Sequence, residues 1–156
     1  MTRVAAALLA LALVTGPLAF AAEQVTGTSV ADATYGEGGT KETVSNAARE
    51  VIAEVWRDRN GIIREQHELD AGGEQFWGFF VGEGTSTYAW GGAIAIRPIG
   101  GPAARWQMTI YGTGNVTVKE YGFLTKAELD TEFAHWHSQM RGWINGFINP
   151  SQPGNG

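Results

Sequence analysis

Glycine-rich turn clusters divide the middle of the chain into short segments, and this spacing is the feature that most limits the possible folds. The chain has 22 glycines in 156 residues, and Gly, Asn and Pro favour the backbone conformations of tight turns. The clusters are Ala71-Gly72-Gly73, Gly82-Glu83-Gly84, Gly100-Gly101-Pro102 and Thr113-Gly114-Asn115. The segments around them predict an antiparallel meander of about five strands, at residues 62–69, 75–81, 87–97, 106–111 and 116–123.

Apolar residues before the first of these strands recur with helical spacing. They stand at i, i+3, i+4, i+7, i+8, i+11 and i+12: Val44, Ala47, Ala48, Val51, Ile52, Val55 and Trp56. This spacing predicts one apolar stripe on an α-helix, with Thr43 as its cap and Asn60-Gly61 at its end. Alternatively, Asn60-Gly61 forms a type I′ hairpin turn between two strands. We favour the helix because the pattern holds for three turns.

The end of the chain carries the best-marked helix. Thr125-Lys126-Ala127-Glu128 is a capping box, and an apolar stripe follows it at Leu129, Phe133, Trp136, Met140, Trp143 and Phe147. A stripe of this kind is typical of a packed core, so we expect Trp136 and Trp143 to be buried. The predicted fold is therefore α+β: a two-layer sandwich in which an N-terminal and a C-terminal helix flank the meander. We find no internal repeat.

The N-terminus predicts export. Arg3 precedes an apolar run that is too short to span a bilayer, and a Gly-Pro break and an Ala-Phe-Ala cleavage site follow this run. We therefore predict a signal peptide at residues 1–21, a flexible leader at 22–42, a single domain at 43–148 and a disordered tail at 149–156. The mature protein would be periplasmic or secreted, with no membrane anchor. Because the chain has no cysteine, packing alone must stabilise it.

Charge and composition exclude several classes of function. A net charge of −5 repels phosphate, so we expect no nucleic-acid partner. Without cysteine there is neither a thiolate metal site nor a cysteine nucleophile. His135 and His137 are two residues apart on the predicted helix, so their rings diverge by about 200°. We therefore expect no metal site and no cofactor.

The densest run of titratable residues is Glu65, His67, Glu68 and Asp70. Glu65 and His67 would share one face of a strand, where a base could lie beside an acid. We favour a solvated edge strand, whose charges discourage pairing with other sheets. The alternative is a small periplasmic hydrolase or lyase that uses these Glu and His groups, or His135, for acid–base chemistry. The sequence contains no motif for a serine nucleophile or a phosphate-binding loop.

Aromatic residues are concentrated in the meander and provide the candidate binding site. Phe76, Trp77, Phe79 and Phe80 alternate onto both faces of one strand, and Tyr88 and Trp90 follow on the next. Since the helices would cover only one sheet face, the opposite face would expose aromatic rings; the alternative is that the leader or a loop covers them. Exposed aromatic patches typically bind proteins or flat ligands such as glycans. We therefore predict a binding site at Trp77, Tyr88 and Trp90, with catalytic residues unknown.

The order of elements resembles the small periplasmic accessory proteins of curli secretion. The resemblance covers residues 43–56 and 105–132, where Arg105-Trp106 opens a strand before the capped helix. Its matching positions are apolar and turn residues, and this chain has extra strands between them. The resemblance implies an accessory role in assembly. The sequence therefore predicts an exported, non-enzymatic binding or assembly-accessory domain that uses an aromatic sheet face.

Overall fold

The computed structural model describes residues 25–82, 90–100 and 104–149. These residues form one antiparallel sheet, whose eight strands lie side by side in sequence order, and a C-terminal helix. The strands are β1 (Thr26–Ala31), β2 (Thr40–Ser45), β3 (Val51–Arg57), β4 (Ile63–Leu69), β5 (Gln75–Phe80), β6 (Trp90–Ile99), β7 (Arg105–Tyr111) and β8 (Thr117–Leu124). A short 3₁₀ turn (Thr113–Asn115) joins β7 to β8, and helix α1 (Lys126–Ile148) follows.

The prediction of two flanking helices is wrong, because the N-terminal helix does not form. Strands β2 and β3 occupy its place, and Ala47 and Ala48 lie exposed in the turn that joins them. Val44 and Val55 are both buried, while Trp56 alternates to the other face from Val55. Val and Ile suit strands because their branched side chains pack on a pleated surface. The helical spacing was therefore produced by two apolar strands and the turn between them.

The hairpin alternative at Asn60-Gly61 is the one that the structure contains, although the turn is not type I′. Residues 58–62 join β3 to β4, and Asp58 and Ile62 close the loop with a backbone hydrogen bond of 3.0 Å. Only Gly61 has a left-handed φ, of 78°, whereas a type I′ turn requires positive φ at both central residues. The loop is thus a turn that ends in a left-handed glycine.

This loop is one of three that have the same geometry at intervals of twelve residues. The first residue is Asn46, Asp58 or Asp70, and its backbone N–H donates to the carbonyl four positions later, at 2.9 to 3.0 Å. In each loop the side-chain Oδ1 of the first residue accepts a hydrogen bond from the backbone N–H of the fifth residue, at 2.9 to 3.1 Å. The fourth residue is left-handed, with φ of 64°, 78° and 79° at Arg49, Gly61 and Gly73. Strands β2 to β5 therefore form a structural repeat, which we did not recognise in the sequence.

Helix α1 packs on one face of the sheet, over β5 to β8. The cross-strand register places Trp77, Ile94 and Ile110 in one row on this face. The buried cluster around this row consists of Tyr35, Trp56, Phe79, Ile94, Ile96, Met108, Ile110, Leu129, Met140 and Ile144. The opposite face also has buried side chains, among them Val44, Val55 and Phe80.

The capping box at the start of α1 is present. The Thr125 hydroxyl accepts from the Glu128 N–H, and the Glu128 carboxylate accepts from the Thr125 N–H. The helix is nevertheless rotated relative to the predicted stripe. Leu129, Met140 and Ile144 are buried, whereas Trp143 and Phe147 are 48% and 58% exposed. The expectation that Trp143 is a core residue is therefore wrong.

The structure describes only part of the predicted terminal segments. The predicted signal peptide lies outside the described residues, and most of the predicted tail does as well. The segment assigned to a leader, residues 22–42, contains β1 and the start of β2. In the part of the chain that the structure describes, no helix is long and apolar enough to cross a membrane.

Gly39 lies at a close backbone approach, and its replacement by alanine tests this packing. A Cβ at Gly39 would lie 2.6 Å from the Asp32 carbonyl oxygen and 2.7 Å from that of Arg57. Because backbone must move to relieve these contacts, we expect Gly39→Ala to lower the free energy of unfolding by about 1–3 kcal/mol. Gly142→Ala is the control: no heavy atom lies within 4 Å of its Cβ, so better helix propensity should make this variant slightly more stable. Urea melts of both variants check the difference.

Candidate functional site

The most unusual group in the structure is the fully buried carboxylate of Glu65, in the middle of β4. Its side chain has an exposed fraction of 0%. Strand β4 is not at the edge of the sheet, since it pairs with β3 on one side and β5 on the other. The prediction of a solvated edge strand is therefore wrong. Glu65 faces the helix-bearing side of the sheet, in the same cross-strand row as Trp56 and Phe79.

Four donors surround this carboxylate. The Tyr35 hydroxyl donates to Oε2 at 2.6 Å, and His137 Nε2 lies 2.7 Å from Oε1. The Arg141 guanidinium binds both oxygens, with Nε donating to Oε2 at 2.8 Å and Nη2 donating to Oε1 at 3.0 Å. A carboxylate has about four lone-pair sites for hydrogen bonds. The protein itself fills them all.

These contacts keep Glu65 ionised despite its burial. Burial by itself raises the pKa of a carboxyl group, but the hydrogen bonds from His137 and Arg141 and the charge of Arg141 outweigh it, so the pKa of Glu65 is lowered. The pKa of the neighbouring Tyr35 phenol is shifted in the opposite direction. Burial, together with the negative charge of Glu65, raises the pKa of Tyr35 well above its ordinary value. Tyr35 therefore stays a neutral donor, and Glu65 stays an anion.

The cluster of Glu65, Tyr35, His137 and Arg141 joins three parts of the fold: strand β4, the loop 32–39 and helix α1. A further bond reinforces the joint, since Asn145 Nδ2 donates to the Thr34 carbonyl at 2.9 Å. The Arg141 guanidinium also lies over the Trp56 ring, 5.1 Å from its centroid. A carboxylate that is saturated by protein donors and has a lowered pKa cannot readily accept a proton from a substrate. Glu65 is thus an anchor for the helix.

His67 lies two residues along the same strand face, as the alternation in the sequence predicted. Its ring stacks on Trp77, with centroids 3.8 Å apart. Nδ1 lies 3.3 Å from Glu54 Oε2, and Nε2 lies 3.1 Å from Gln75 Oε1. Burial disfavours the imidazolium and lowers the pKa of His67, although the bonds to Glu54 and Gln75 oppose this shift. Both ring nitrogens therefore have partners within the protein.

The three predicted binding residues do not form one described surface. Trp77 lies between the sheet and the helix: its ring contacts Trp56 at 6.0 Å, Phe133 at 5.2 Å and His137 at 4.8 Å between centroids. Trp77 is thus on the face that α1 covers. Tyr88 lies outside the described residues. Trp90 begins β6, where its backbone pairs with Phe80, and its side chain is not described.

Glu68 points to the other face of β4 and is only partly buried. Its Oε1 accepts from Gln66 Nε2 at 2.5 Å, and the Gln66 Oε1 atom is buried with no hydrogen-bond partner among the described residues. Burial raises the pKa of Glu68 to about 7, and the bond from Gln66 opposes this shift only in part. Glu65 and Glu68, three residues apart, thus have pKa values displaced in opposite directions, because Glu65 has the Arg141 guanidinium and further hydrogen-bond donors around it and Glu68 has only the Gln66 amide.

The remaining titratable candidates are separated from one another. Asp70 accepts the backbone N–H groups of Gly72 and Glu74 in a hairpin turn. His135 lies on the exposed side of α1, whereas His137 points inward to Glu65. Within residues 25–82, 90–100 and 104–149, no three His, Asp or Glu side chains are grouped as metal ligands would be.

Sequence reasoning missed Tyr35 and Arg141, the residues that make Glu65 a buried ion. Arg141 had a readable signal, because it stands one helical turn after His137 and immediately after Met140. A cation beside the apolar stripe of a helix requires a buried counter-charge. Tyr35 had a weaker signal, as the only aromatic residue of the segment 22–42.

The C-terminal part of α1 exposes two aromatic rings that the sequence assigned to the core. Trp143 and Phe147 are one helical turn apart, so the two residues are neighbours on the helix surface. A Cβ at Gly91 would lie 3.0 Å from Cζ3 of Trp143, so the edge of this ring rests on β6. Gly142 directly precedes Trp143 in sequence, and Gly146 directly precedes Phe147. A Cβ added at either glycine would have no heavy atom within 4 Å. We call Gly142, Trp143, Gly146 and Phe147 the outer helix patch.

Comparisons of the chain with protein-family models, with curated proteins and with solved structures found no significant match. The resemblance to curli accessory proteins is weakened by the fold itself, because its first part, residues 43–56, requires a helix where the structure has β2 and β3.

The first prediction for this site concerns the charge of Glu65. Glu65→Gln leaves the Arg141 guanidinium without its buried counter-charge, so we expect the free energy of unfolding to fall by about 3–5 kcal/mol. Since the pKa of Glu65 is lowered in the folded state, its contribution is present above the unfolded pKa and is lost as pH falls through the folded pKa. Urea melts between pH 2 and pH 8 should show this acid-dependent loss in the parent and a weaker one in the variant. Glu120→Gln, at an exposed position, is the control. Equal stability of the two variants would contradict an ionised Glu65.

The second prediction concerns Glu68. Its folded pKa of about 7 lies above the ordinary value of 4.5, so its protonated form stabilises the fold below pH 4.5 and this contribution is lost as pH rises through 7. Glu68→Gln keeps the side chain neutral. We expect the variant to be more stable than the parent at pH 8 by about 1–2 kcal/mol, a value reduced for partial exposure to solvent, and of similar stability at pH 4. Denaturant melts at the two pH values check this, and a pH-independent difference would contradict it.

Proposed function

We propose that this protein is an exported, non-enzymatic domain that binds a protein partner through the outer helix patch. The observation that carries the proposal is the exposure of Trp143 and Phe147, at 48% and 58%, on one side of α1. Large aromatic rings exposed next to each other are typical of interaction surfaces. Export rests on the predicted signal peptide at residues 1–21.

The state of the acid–base candidates supports binding over hydrolysis or elimination. Glu65 accepts four hydrogen bonds from the protein, and His67 has a partner at each ring nitrogen. A general base needs a free lone pair within hydrogen-bond reach of the substrate proton. Neither group offers one without breaking contacts that stabilise the fold. The alternative of a hydrolase or lyase therefore loses Glu65 and His67, two of the four groups that the sequence offered for it; Glu68 and His135 are the other two.

The chemistry of the outer helix patch favours a protein over a glycan. Glycan sites combine a flat aromatic ring with carboxylate or amide groups that bind the sugar hydroxyls. Beside Trp143 and Phe147 lie Gly142 and Gly146, which offer no side-chain hydrogen bonds. Among the described residues one helical turn from either ring, only Gln139 carries an exposed amide. Small residues beside large rings let another backbone approach closely, as at helix–helix contacts. A partner that presents an amphipathic helix fits this surface.

A binding selection tests the proposal without knowledge of the natural partner. The purified protein is used to select ligands from a library of amphipathic helical peptides, and the selected peptides are measured by calorimetry against Trp143→Ser/Phe147→Ser. We expect the double variant to lose at least about tenfold in affinity, since each buried aromatic ring contributes 1 kcal/mol or more to binding. It should retain a cooperative denaturant melt, because both rings are about half exposed.

The matched control is Val116→Ser/Val118→Ser on the β8 side, where two apolar residues are 63% and 55% exposed. This variant should bind the peptides as the parent does. Equal binding by the parent and the Trp143/Phe147 variant would contradict the outer helix patch as the site. Selective binding of the parent to a glycan array, with no peptide selected, would favour the glycan instead.

A further inference from the structure

Within the described ranges, strand β1 forms an edge of the sheet that has none of the usual protection against pairing. Among the described residues it pairs only with β2, and its register runs without a shift from Thr26 to Ala31. All six of its residues are exposed, and none is charged or proline. Natural edge strands are normally blocked by charges, proline, bulges or a covering element. No described residue therefore pairs with the outer backbone groups of β1, which are suited to pairing with another strand.

The other edge of the described sheet is different. Strand β8 carries Lys119 and Glu120, and its pairing with β7 has two register shifts. Phe123, near its end, has a left-handed φ of 58°, which is strained for a side chain of this size. Charges and irregular backbone are the devices that prevent strands from adding to an edge. As far as the described residues extend, the β8 edge is thus protected and the β1 edge is not.

We propose that β1 pairs with β1 of a second copy of this chain, antiparallel about a twofold axis near Ser29. The sequence of β1, TGTSVA, is uncharged along its whole length, so no like charges face each other in the pair. This matters because each chain carries a net charge of −5, so two copies repel each other as whole molecules and an uncharged contact adds no further repulsion. A twofold contact between identical strands closes on itself and gives a dimer.

This pairing continues the sheet from one copy into the other, with β2–β1–β1–β2 as its centre. Thr26, Thr28 and Val30 share one face of β1, opposite Ser45, Thr43 and Lys41 of β2. β-branched residues at such positions suit cross-strand packing between the two copies. The proposal does not depend on the proposed function, because the outer helix patch lies on a different element.

The absence of native cysteine allows a direct test by single-cysteine cross-linking. Ser29→Cys places one thiol near the proposed axis, where paired Cα atoms are within the range that a disulfide spans. In a preformed dimer the reaction is effectively intramolecular, so at about 10 μM protein we expect the disulfide to form about a hundredfold faster than in control variants. The controls are Glu120→Cys on β8 and Ser138→Cys on the exposed side of α1. Circular dichroism verifies that each variant is folded.

The unmodified protein provides the second measurement. Sedimentation equilibrium should show a monomer–dimer equilibrium, and the outward amides of β1 should gain protection from hydrogen exchange as protein concentration rises. Trp143→Ser/Phe147→Ser should leave both results unchanged, which distinguishes this contact from the outer helix patch. A monomer at all concentrations, or cross-linking at Glu120→Cys or Ser138→Cys as fast as at Ser29→Cys, would overturn the proposal.

Discussion

The buried carboxylate of Glu65 determines how the parts of this fold are held together. Its removal from water is a large cost, and only a full set of donors in the correct positions offsets it. Those donors come from the loop 32–39 and from α1, which are 30 and 76 residues away from Glu65 in sequence. The helix therefore cannot shift or rotate on the sheet without leaving a charge unsatisfied. This requirement explains why α1 presents His137 and Arg141 inward and leaves Trp143 about half exposed at the flank of the contact.

The same arrangement divides the helix-bearing face of the sheet into two halves. Beneath α1, over β5 to β8, the face is apolar and belongs to the buried cluster. Beyond the helix, the row continues through His67 and Glu54 to Thr43 and Thr28, which are polar. Glu65, Arg141 and Trp56 lie at the boundary between the halves. The strands on the polar side thus need no second helix to cover them. This is consistent with the two strands, β2 and β3, that occupy the place of the predicted N-terminal helix.

The sequence predicted features that depend on local chemistry better than those that depend on distant partners. The capping box at Thr125 acts within one turn of helix, and its bonds are present. The apolar spacing around Val51 was ambiguous, because two short strands and a two-alanine turn match a helical period. The twelve-residue spacing of Asn46, Asp58 and Asp70 would have resolved it, since each residue closes a hairpin with its own side chain. The burial of Glu65 was not readable locally, because it depends on Tyr35 and Arg141.

The repeated hairpins also explain why a charge is useful at this point of the core. Three loops of the same geometry give β2 to β5 similar local structure, so local interactions alone distinguish their registers poorly. A slip of one residue in β4 would move Glu65 to the opposite face, away from Arg141, and bring Arg64 or Gln66 under the helix. With an apolar residue at position 65 the slip would not separate a buried anion from its donors, so one of its costs would be absent. The buried ion pair therefore contributes to the choice of one register, a role for which buried polar groups are well suited.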